Sequence, residues 1–236
     1  MDAVEEQKDL PWSEKCVRPA PPPSRARADA VPLHHDPPPH RYRPRRLRDI
    51  ADQTAAHALA AALDSGAGVP QHMLFHGPPG TGKTSTALAV CHELFGPALM
   101  RERVMELNAS DQRHIGAVRD KVKVFANLAV GGGGGAAPPY KVVVLDEADS
   151  MTHDAQTALR TIMERFSHVT RFILCVNYIS KVSEPLVSRC VSFRFDALPE
   201  EAVVDHMRRI VGSEGCGGGA ALVGDAQLRW VMQATG

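Results

Sequence analysis

Short apolar runs alternate with longer stretches of helical periodicity along most of the chain. Apolar residues recur at helical spacing in several stretches, which predicts helices at residues 47–63, 84–94, 115–128, 154–166, 200–211 and 225–233. Short runs rich in apolar residues predict strands at residues 73–76, 104–107, 142–145, 171–176 and 191–195, of which residues 142–145 are predicted to be buried. Because strands that alternate with helices favour a parallel sheet covered on both faces, we predict an α/β fold followed by a smaller helical unit.

Proline, arginine and histidine crowd residues 16–41, where no apolar periodicity is present. Such a composition buries too little apolar surface to fold, so we predict a disordered or polyproline-like segment. A metal-binding tract built on His34, His35 and His40 is the alternative, but no thiol or carboxylate recurs beside them at ligand spacing. A glycine run at residues 131–135 predicts a flexible loop tip.

The chain has 236 residues, and its 27 basic side chains balance its 27 acidic ones. The overall charge therefore gives no reason to expect binding to nucleic acid or to a membrane, and any DNA-binding surface must come from local clustering. The N-terminus lacks the apolar stretch of a signal peptide, and no segment is apolar over the length that spans a bilayer. We therefore expect no membrane partner.

Residues 77–84 read Gly-Pro-Pro-Gly-Thr-Gly-Lys-Thr and lie between a predicted strand and a predicted helix. In that setting, backbone N–H groups of a glycine-rich turn and of the helix N-terminus surround phosphates. Lys83 would place its charge against the β- and γ-phosphates, and Thr84 would bind magnesium through its hydroxyl. The pattern predicts a P-loop that binds ATP with Mg²⁺, rather than a glycine-rich turn of chance composition. The predicted nucleotide-binding residues of this segment are Gly77, Pro78, Pro79, Gly80, Thr81, Gly82, Lys83, Thr84 and Ser85.

A carboxylate pair, Asp146 and Glu147, follows the strand predicted at residues 142–145. An α/β sheet presents ligands at the carboxyl ends of its strands, so we expect Asp146 to share the magnesium with Thr84. Glu147 can then orient and polarise the water that attacks the γ-phosphate, which favours hydrolysis. Without the P-loop upstream, the same pair is typical of an ordinary strand-ending turn.

Asn177 and Arg189 are two further candidates, each with an ordinary alternative. Asn177 ends the apolar run at residues 172–176 and can hydrogen-bond the attacking water or the γ-phosphate, or simply form a turn. Arg189 lies in a Ser-Arg-Cys segment before the last predicted strand. It can reach a phosphate as an arginine finger in the same chain or in a neighbour, although most isolated arginines are solvated.

Cations cluster in and just before the helix predicted at residues 115–128: Arg113, Arg119, Lys121 and Lys123. Arg119 and Lys123 are four residues apart and therefore share a helical face. Such a face can follow a phosphate backbone, and a solvated helical surface is the alternative.

Four motifs together resemble the small subunits of replication factor C, the eukaryotic sliding-clamp loader. They are the P-loop, Glu-Leu-Asn-Ala-Ser-Asp at residues 106–111, Leu-Asp-Glu-Ala-Asp-Ser-Met at residues 145–151 and Ser-Arg-Cys at residues 188–190. Within that family, Leu-Phe-Gly-Pro at residues 94–97 and Cys-Val-Asn-Tyr at residues 175–178 look most like the paralogue called subunit 4 in animals and subunit 2 in budding yeast. The resemblance covers about residues 42–236.

The resemblance implies an AAA+ P-loop ATPase core, a parallel sheet flanked by helices, at residues 42–196. A small helical lid, incomplete in this chain, would follow at residues 197–236, and residues 1–41 would form a disordered N-terminal segment. By position, Asn177 matches the family's sensor-1 residue, and Arg189 matches the finger that acts on the adjacent subunit's ATP.

The resemblance also implies two sets of binding residues. Tyr42 and Arg43 match the family's Tyr-Arg-Pro element, which lies near the adenine. The family's DNA-tracking helix corresponds to the one that carries Arg113, Arg119 and Lys123, so these side chains are the expected DNA contacts.

Three departures from the family pattern change what we expect. Residues 16–41 separate Pro-Trp-Ser-Glu-Lys at residues 11–15 from Tyr-Arg-Pro, as a retained intron or a faulty gene model would. The family's Arg-Gly-Ile has His114 in the middle here, and Thr161 replaces the second of its paired arginines. The sequence ends at Gly236, before the family's sensor-2 arginine and the collar that holds its pentamer together. We therefore expect weak incorporation into the complex and little hydrolysis by the isolated chain.

The leading hypothesis is a clamp-loader subunit in the nucleus that acts in DNA replication and repair. It would use ATP binding to open a sliding clamp and place it on primer-template DNA, and ATP hydrolysis to release it, together with the other replication factor C subunits of a hetero-pentamer. An ATP-binding interaction protein without independent clamp-loading activity is the alternative, favoured by the missing sensor-2 arginine and collar. A P-loop small-molecule kinase is disfavoured because Asp146 and Glu147 suit hydrolysis.

Overall fold

The structure is a computed structural model that describes residues 42–50, 53–66, 68–110, 115–127, 138–214 and 224–235. The predictions of a disordered segment at residues 1–41 and of a loop tip at residues 131–135 lie outside the described residues. Within them, the strands are β1 (His72–His76), β2 (Val104–Asn108), β3 (Lys141–Asp146), β4 (Thr170–Val176) and β5 (Val191–Arg194). The helices are α1 (Thr54–Asp64), α2 (Lys83–Arg103), α3 (Ile115–Asn127), α4 (His153–Phe166), α5 (Glu184–Val187), α6 (Glu200–Glu214) and α7 (Asp225–Thr235).

The strands form one sheet in the order β2-β3-β4-β1-β5, and each neighbouring pair is parallel. The predicted parallel sheet is therefore confirmed. Because all of these strands run in the same direction, their carboxyl ends lie along one edge of the sheet. The P-loop follows β1, Asp146 ends β3 and Asn177 follows β4, so that edge collects most of the predicted site.

Alternate residues of each central strand enter two separate hydrophobic cores, one on each face of the sheet. Phe75 of β1 and Val144 of β3 pack on the face covered by α1 and α2. Leu74 and Val143, the neighbours of these residues, pack on the opposite face together with Leu159 of α4. A strand that is buried on both faces has few polar positions, which explains the near-continuous apolar runs of the sequence.

The single helix predicted at residues 47–63 is wrong, because the structure breaks it in two. A 3-10 turn spans Leu47–Asp49, Ile50 and Gln53 are extended, and α1 begins only at Thr54. The side chain of Gln53 is buried and donates a hydrogen bond to the carbonyl oxygen of Asp196, 2.8 Å away. This long-range contact holds the backbone extended where the local pattern favours a helix.

The helix predicted at residues 84–94 continues further than expected, because α2 ends at Arg103. Gly96 has non-helical dihedral angles, φ 65° and ψ 171°, directly before Pro97, so the helix is kinked there. Proline lacks the N–H that a helix interior requires, which accounts for the break. The other predicted helices and strands are confirmed to within a few residues at each end. None of the helices in the described ranges is long and apolar enough to cross a membrane.

Candidate active site

The P-loop forms a compact turn between β1 and α2, as its glycines require. Gly80 and Gly82 have φ angles of 77° and 89°, in the left-handed region that only glycine adopts without strain. The hydroxyl of Thr81 donates to the carbonyl oxygen of Pro78 at 2.9 Å, which closes the turn. The turn thus leads directly into the N-terminus of α2, where unpaired backbone N–H groups favour an anion.

Lys83 is nearly buried, with 7% of its surface exposed. Its ammonium group donates to the carbonyl oxygens of Gly77 and Pro78 at 2.8 and 2.7 Å. Burial lowers the pKa of Lys83, and the nearby carboxylates of Asp146 and Asp149 act in the opposite direction. The cation is therefore held inside the turn, within reach of a phosphate bound to it.

The two predicted magnesium ligands lie in direct contact. The hydroxyl of Thr84 donates to Oδ2 of Asp146 at 2.7 Å, and Oδ1 of the same carboxylate accepts from the N–H of Glu147 at 3.0 Å. No group of three or more His, Cys, Asp or Glu side chains in the described ranges could hold a metal ion. One hydroxyl and one carboxylate suit a magnesium ion that takes its remaining ligands from phosphates and water.

Glu147 has a strained backbone. Its φ of 52° and ψ of 37° are left-handed, and it is the single non-glycine residue with positive φ among the described residues. Such a conformation costs about 1–2 kcal/mol and is concentrated at functional sites. A 3-10 turn, Ala148–Ser150, follows directly, and the N–H of Ser150 donates to the carbonyl oxygen of Glu147 at 2.9 Å. The turn keeps Glu147 exposed at the end of β3.

A cleft of about 310 Å³ brings the predicted site residues together. Residues 79–85 of the P-loop segment line it on one side, and Arg43, Asp146, Glu147 and Asn177 complete it. The structure therefore places the predicted magnesium ligands, the predicted base and the predicted sensor residue around one space. This arrangement has the parts that phosphoryl transfer to water requires.

Arg43 enters the cleft from the N-terminal side. Its Nη1 atom is buried without a hydrogen-bond partner and forms an ion pair with Oε1 of Glu106, 3.7 Å away. A buried guanidinium nitrogen that makes no hydrogen bond can still accept an anionic ligand as a partner. Tyr42, which precedes it, is half-buried.

A second cavity, of about 230 Å³, adjoins the cleft and shares Ser85 and residues 80–82 with it. Its other walls are largely apolar and include Ile50, Leu198 and Val203, together with His206 of α6. Burial, followed by the charge of Arg209, lowers the pKa of His206, which favours a neutral imidazole. An apolar cavity beside a phosphate cleft suits the base of a nucleotide. Pro44 of the Tyr-Arg-Pro element also lines this cavity, whereas sequence reasoning missed the other residues of this wall, because they come from distant segments without a shared motif.

The sequence model of the ATPase family associated with various cellular activities (AAA) matches residues 73–196, which include the P-loop, both carboxylates and Asn177. The chain belongs to the AAA family of ATPases.

Similar proteins support the resemblance to replication factor C. The AAA chain is 52% identical over 178 residues to Replication factor C subunit 2 of Oryza sativa subsp. japonica, across 74% of this chain and 52% of that protein. It is 53% identical over 164 residues to Replication factor C subunit 4 of Homo sapiens, across 68% and 45% respectively. It is 50% identical over 176 residues to Replication factor C subunit 2 of Saccharomyces cerevisiae, across 72% of this chain and 50% of that protein. The predicted resemblance is confirmed, and the chain spans about half the length of these relatives.

A solved structure agrees on the fold. A RuvB variant from Thermotoga maritima superposes with a TM-score of 0.60 at 19% identity, over 80% of this chain and 58% of that one. At this identity the likeness shows the fold alone, an AAA+ P-loop ATPase core, which confirms the predicted fold class.

Arg189 lies apart from the cleft of its own AAA domain. Its guanidinium group contacts the carboxylate of Glu164 on α4 and donates to the carbonyl oxygen of Pro185 at 2.6 Å. Arg160 donates to the same carboxylate oxygen of Glu164 at 3.2 Å, and the two arginines lower the pKa of Glu164, Arg160 foremost. The structure thus does not bring Arg189 to the P-loop of this chain, and a role as a finger for a neighbour stays a prediction.

The cationic helix exists as predicted, because α3 spans Ile115–Asn127. Lys123 is half-buried and lines a groove of about 280 Å³ between α3 and α4, together with Arg165. Arg113 and the side chain of Arg119 lie outside the described residues. Binding of DNA to this face therefore stays a prediction.

Proposed function

We propose that this AAA chain is an ATP-binding and ATP-hydrolysing subunit of a DNA sliding-clamp loader. The observation that carries the enzymatic part is the 2.7 Å contact between Thr84 and Asp146 in the cleft that Glu147 and Asn177 also line. The clamp-loader part is supported by relatives that are named as replication factor C subunits.

Each cleft residue has a role in the proposed reaction. Thr84 and Asp146 would hold Mg²⁺, which would neutralise charge on the phosphates. Lys83 exchanges its bonds to backbone carbonyls for bonds to the β- and γ-phosphates. Glu147 orients the attacking water and polarises its O–H bond, while Asn177 donates a hydrogen bond to the γ-phosphate or to that water.

The proposed assembly is a hetero-pentamer with other replication factor C subunits in the nucleus. Arg189 reaches the ATP of an adjacent subunit, which agrees with its position away from the cleft of its own chain. Arg113, Arg119 and Lys123 follow the backbone of primer-template DNA while the complex loads the sliding clamp, in replication and in repair.

Binding of ATP by the chain tests the first step. We expect Lys83→Met to weaken binding of ATP with Mg²⁺ by about 10-fold or more, because hydrogen bonds to charged groups contribute about 1.5–3 kcal/mol. Lys121→Met, which removes an exposed lysine of α3, is the matched control and should bind ATP like the wild type. Equal affinity of the wild type and Lys83→Met, measured by titration calorimetry, would contradict the proposed site.

Hydrolysis by the chain assembled with its partner subunits tests the second step. Glu147→Gln should bind ATP normally and hydrolyse it at least about 100-fold more slowly, since a positioned general base contributes about 10²–10⁴-fold. Glu184→Gln, at an exposed glutamate of α5, should leave the rate unchanged. If the chain binds ATP but adds neither hydrolysis nor clamp loading on primed DNA to the assembly, it is an interaction protein instead.

Assembly with the same partners also tests Arg189. Arg189→Ala should leave ATP binding by this chain unchanged and should slow hydrolysis at the site that this residue faces, because a finger contributes about 10³–10⁵-fold. An unchanged rate of hydrolysis by the complex would exclude a finger role.

A further inference from the structure

The end of β4 and the loop that follows it are anchored at three consecutive residues. The carbonyl oxygen of Val176 accepts from the N–H of Gly77 at 3.3 Å, which ties β4 to the start of the P-loop. The next two N–H groups, those of Asn177 and Tyr178, both donate to the carboxylate of Asp149. We propose that Asp149 is a positioning residue that sets the orientation of Asn177 for ATP hydrolysis, an inference that rests on the function proposed above.

The carboxylate of Asp149 connects two parts of the site that are far apart in the sequence. It lies in the 3-10 turn Ala148–Ser150, directly after Glu147. Its Oδ1 accepts from Asn177 and its Oδ2 accepts from Tyr178, both at 3.3 Å. One side chain thus couples the turn that carries the predicted base to the loop that carries the predicted sensor.

Two-point acceptance fixes an orientation that one hydrogen bond would leave free. Asn177 stands beyond the end of β4, where the sheet no longer constrains its backbone. A carboxylate can accept through both oxygens, and that of Asp149 accepts from two successive N–H groups, each at 3.3 Å. Two bonds to one side chain fix the orientation of these peptide groups relative to the turn, even though each bond is long. When a side chain that contacts the reacting group is displaced by about 1 Å, the rate of the reaction can fall by about 10²-fold.

If Asp149 only stabilised the loop after β4, its variants would behave differently. Asp149 is partly buried, and its removal would then lower the melting temperature and affect all properties of the cleft alike. A positioning role acts through Asn177 and therefore changes the rate of hydrolysis while ATP binding persists. Its effect must also disappear once Asn177 itself has been removed.

Single-turnover hydrolysis by the chain assembled with its partner subunits separates these roles. Asp149→Ala should reduce the rate constant by about 10- to 100-fold, with the Kd for ATP and Mg²⁺ within about 3-fold of the wild type. Asp149→Asn should lose less, because its amide oxygen still accepts one of the two N–H groups. Asp154→Asn, which changes an exposed carboxylate in the first turn of α4, is the control and should retain the wild-type rate.

A double-mutant cycle with Asn177→Ala completes the test. We expect Asp149→Ala combined with Asn177→Ala to be no slower than Asn177→Ala alone, and hydrogen exchange at Asn177 and Tyr178 to be faster in Asp149→Ala. Additive losses, or a wild-type rate in Asp149→Ala, would overturn the inference while the proposed function stands. A wild-type rate in Asn177→Ala would instead overturn the proposed role of Asn177.

Discussion

Gly77 occupies a position where the chain has no room for a side chain. A Cβ atom added there would lie 2.1 Å from the carbonyl oxygen of Phe195 and 3.0 Å from its carbonyl carbon. The φ angle of 152° is also one that residues with a side chain rarely adopt. Gly77→Ala must therefore move the start of the P-loop away from the segment that follows β5.

The size of the effect follows from the bonds that this movement strains. An ordinary contact of at least 3.4 Å requires a shift of about 1.3 Å. That shift stretches the bond from the N–H of Phe195 to the carbonyl oxygen of His76 (2.8 Å) and the bond from the N–H of Gly77 to the carbonyl oxygen of Val176 (3.3 Å). Each backbone hydrogen bond contributes about 1 kcal/mol, so their loss adds about 2 kcal/mol to the backbone strain of about 1–2 kcal/mol. We expect Gly77→Ala to lower the free energy of unfolding by about 3–4 kcal/mol.

Gly66→Ala is the matched control, because Gly66 has a φ of 72° but open space around the added methyl group. Gly66→Ala introduces the backbone strain without a steric clash. Gly80 lies in the cleft but is equally uncrowded, so Gly80→Ala should lower the melting temperature by about as much as Gly66→Ala. In thermal unfolding followed by circular dichroism, Gly77→Ala should melt about 4–8 °C below Gly66→Ala, since about 1 kcal/mol corresponds to about 2–4 °C at this size. Equal melting temperatures of these two variants would refute the steric argument.

Two further predictions concern buried polar side chains. Burial lowers the pKa of His72 from 6.5 to about 4, so the unfolded chain takes up a proton first and the free energy of unfolding should fall as the pH drops from about 6.5 to 4. His72→Gln should flatten this part of the profile of melting temperature against pH, whereas His57→Gln, at an exposed histidine, should keep it; a profile unchanged in His72→Gln would exclude this cause. Gln156 is 4% exposed, donates to the carbonyl oxygen of Lys181 at 2.8 Å and accepts from the N–H of Ser183 at 2.7 Å. Gln156→Ala should lower the free energy of unfolding by about 1–3 kcal/mol in urea denaturation, and an unchanged midpoint would contradict it.

Much of the sheet and of the cleft could be predicted because the signals are local. A strand that is covered on both faces reads as a near-continuous apolar run, and residues 142–145 of β3 therefore stand out before Asp146. Parallel strands place their carboxyl ends at one edge, so residues that follow β1, β3 and β4 could be expected to meet. The P-loop could be predicted from a single short segment, since its glycines and Lys83 are neighbours in the sequence.

Contacts between distant segments explain what could not be predicted. The break before α1 depends on the bond from Gln53 to Asp196, and neither residue has an unusual local pattern. The contact of Arg189 with Glu164 joins two exposed side chains on separate elements. Asp149 was visible only as part of a motif, and its bonds to the loop after β4 follow from the order of the strands rather than from that motif.

The position of β4 between β3 and β1 also determines when the site can form. During synthesis from the N-terminus, β1 and β3 leave the ribosome before the strand that separates them in the sheet. Until residues 170–176 are inserted, the P-loop lacks its anchor at Val176, and Asp146 lacks a strand that would fix its distance from Thr84. Pairing over such sequence separations is entropically costly and slow. A growing chain that stops short of β4 would therefore contain every residue of the phosphate-binding motif and still have no pocket in which to hold ATP.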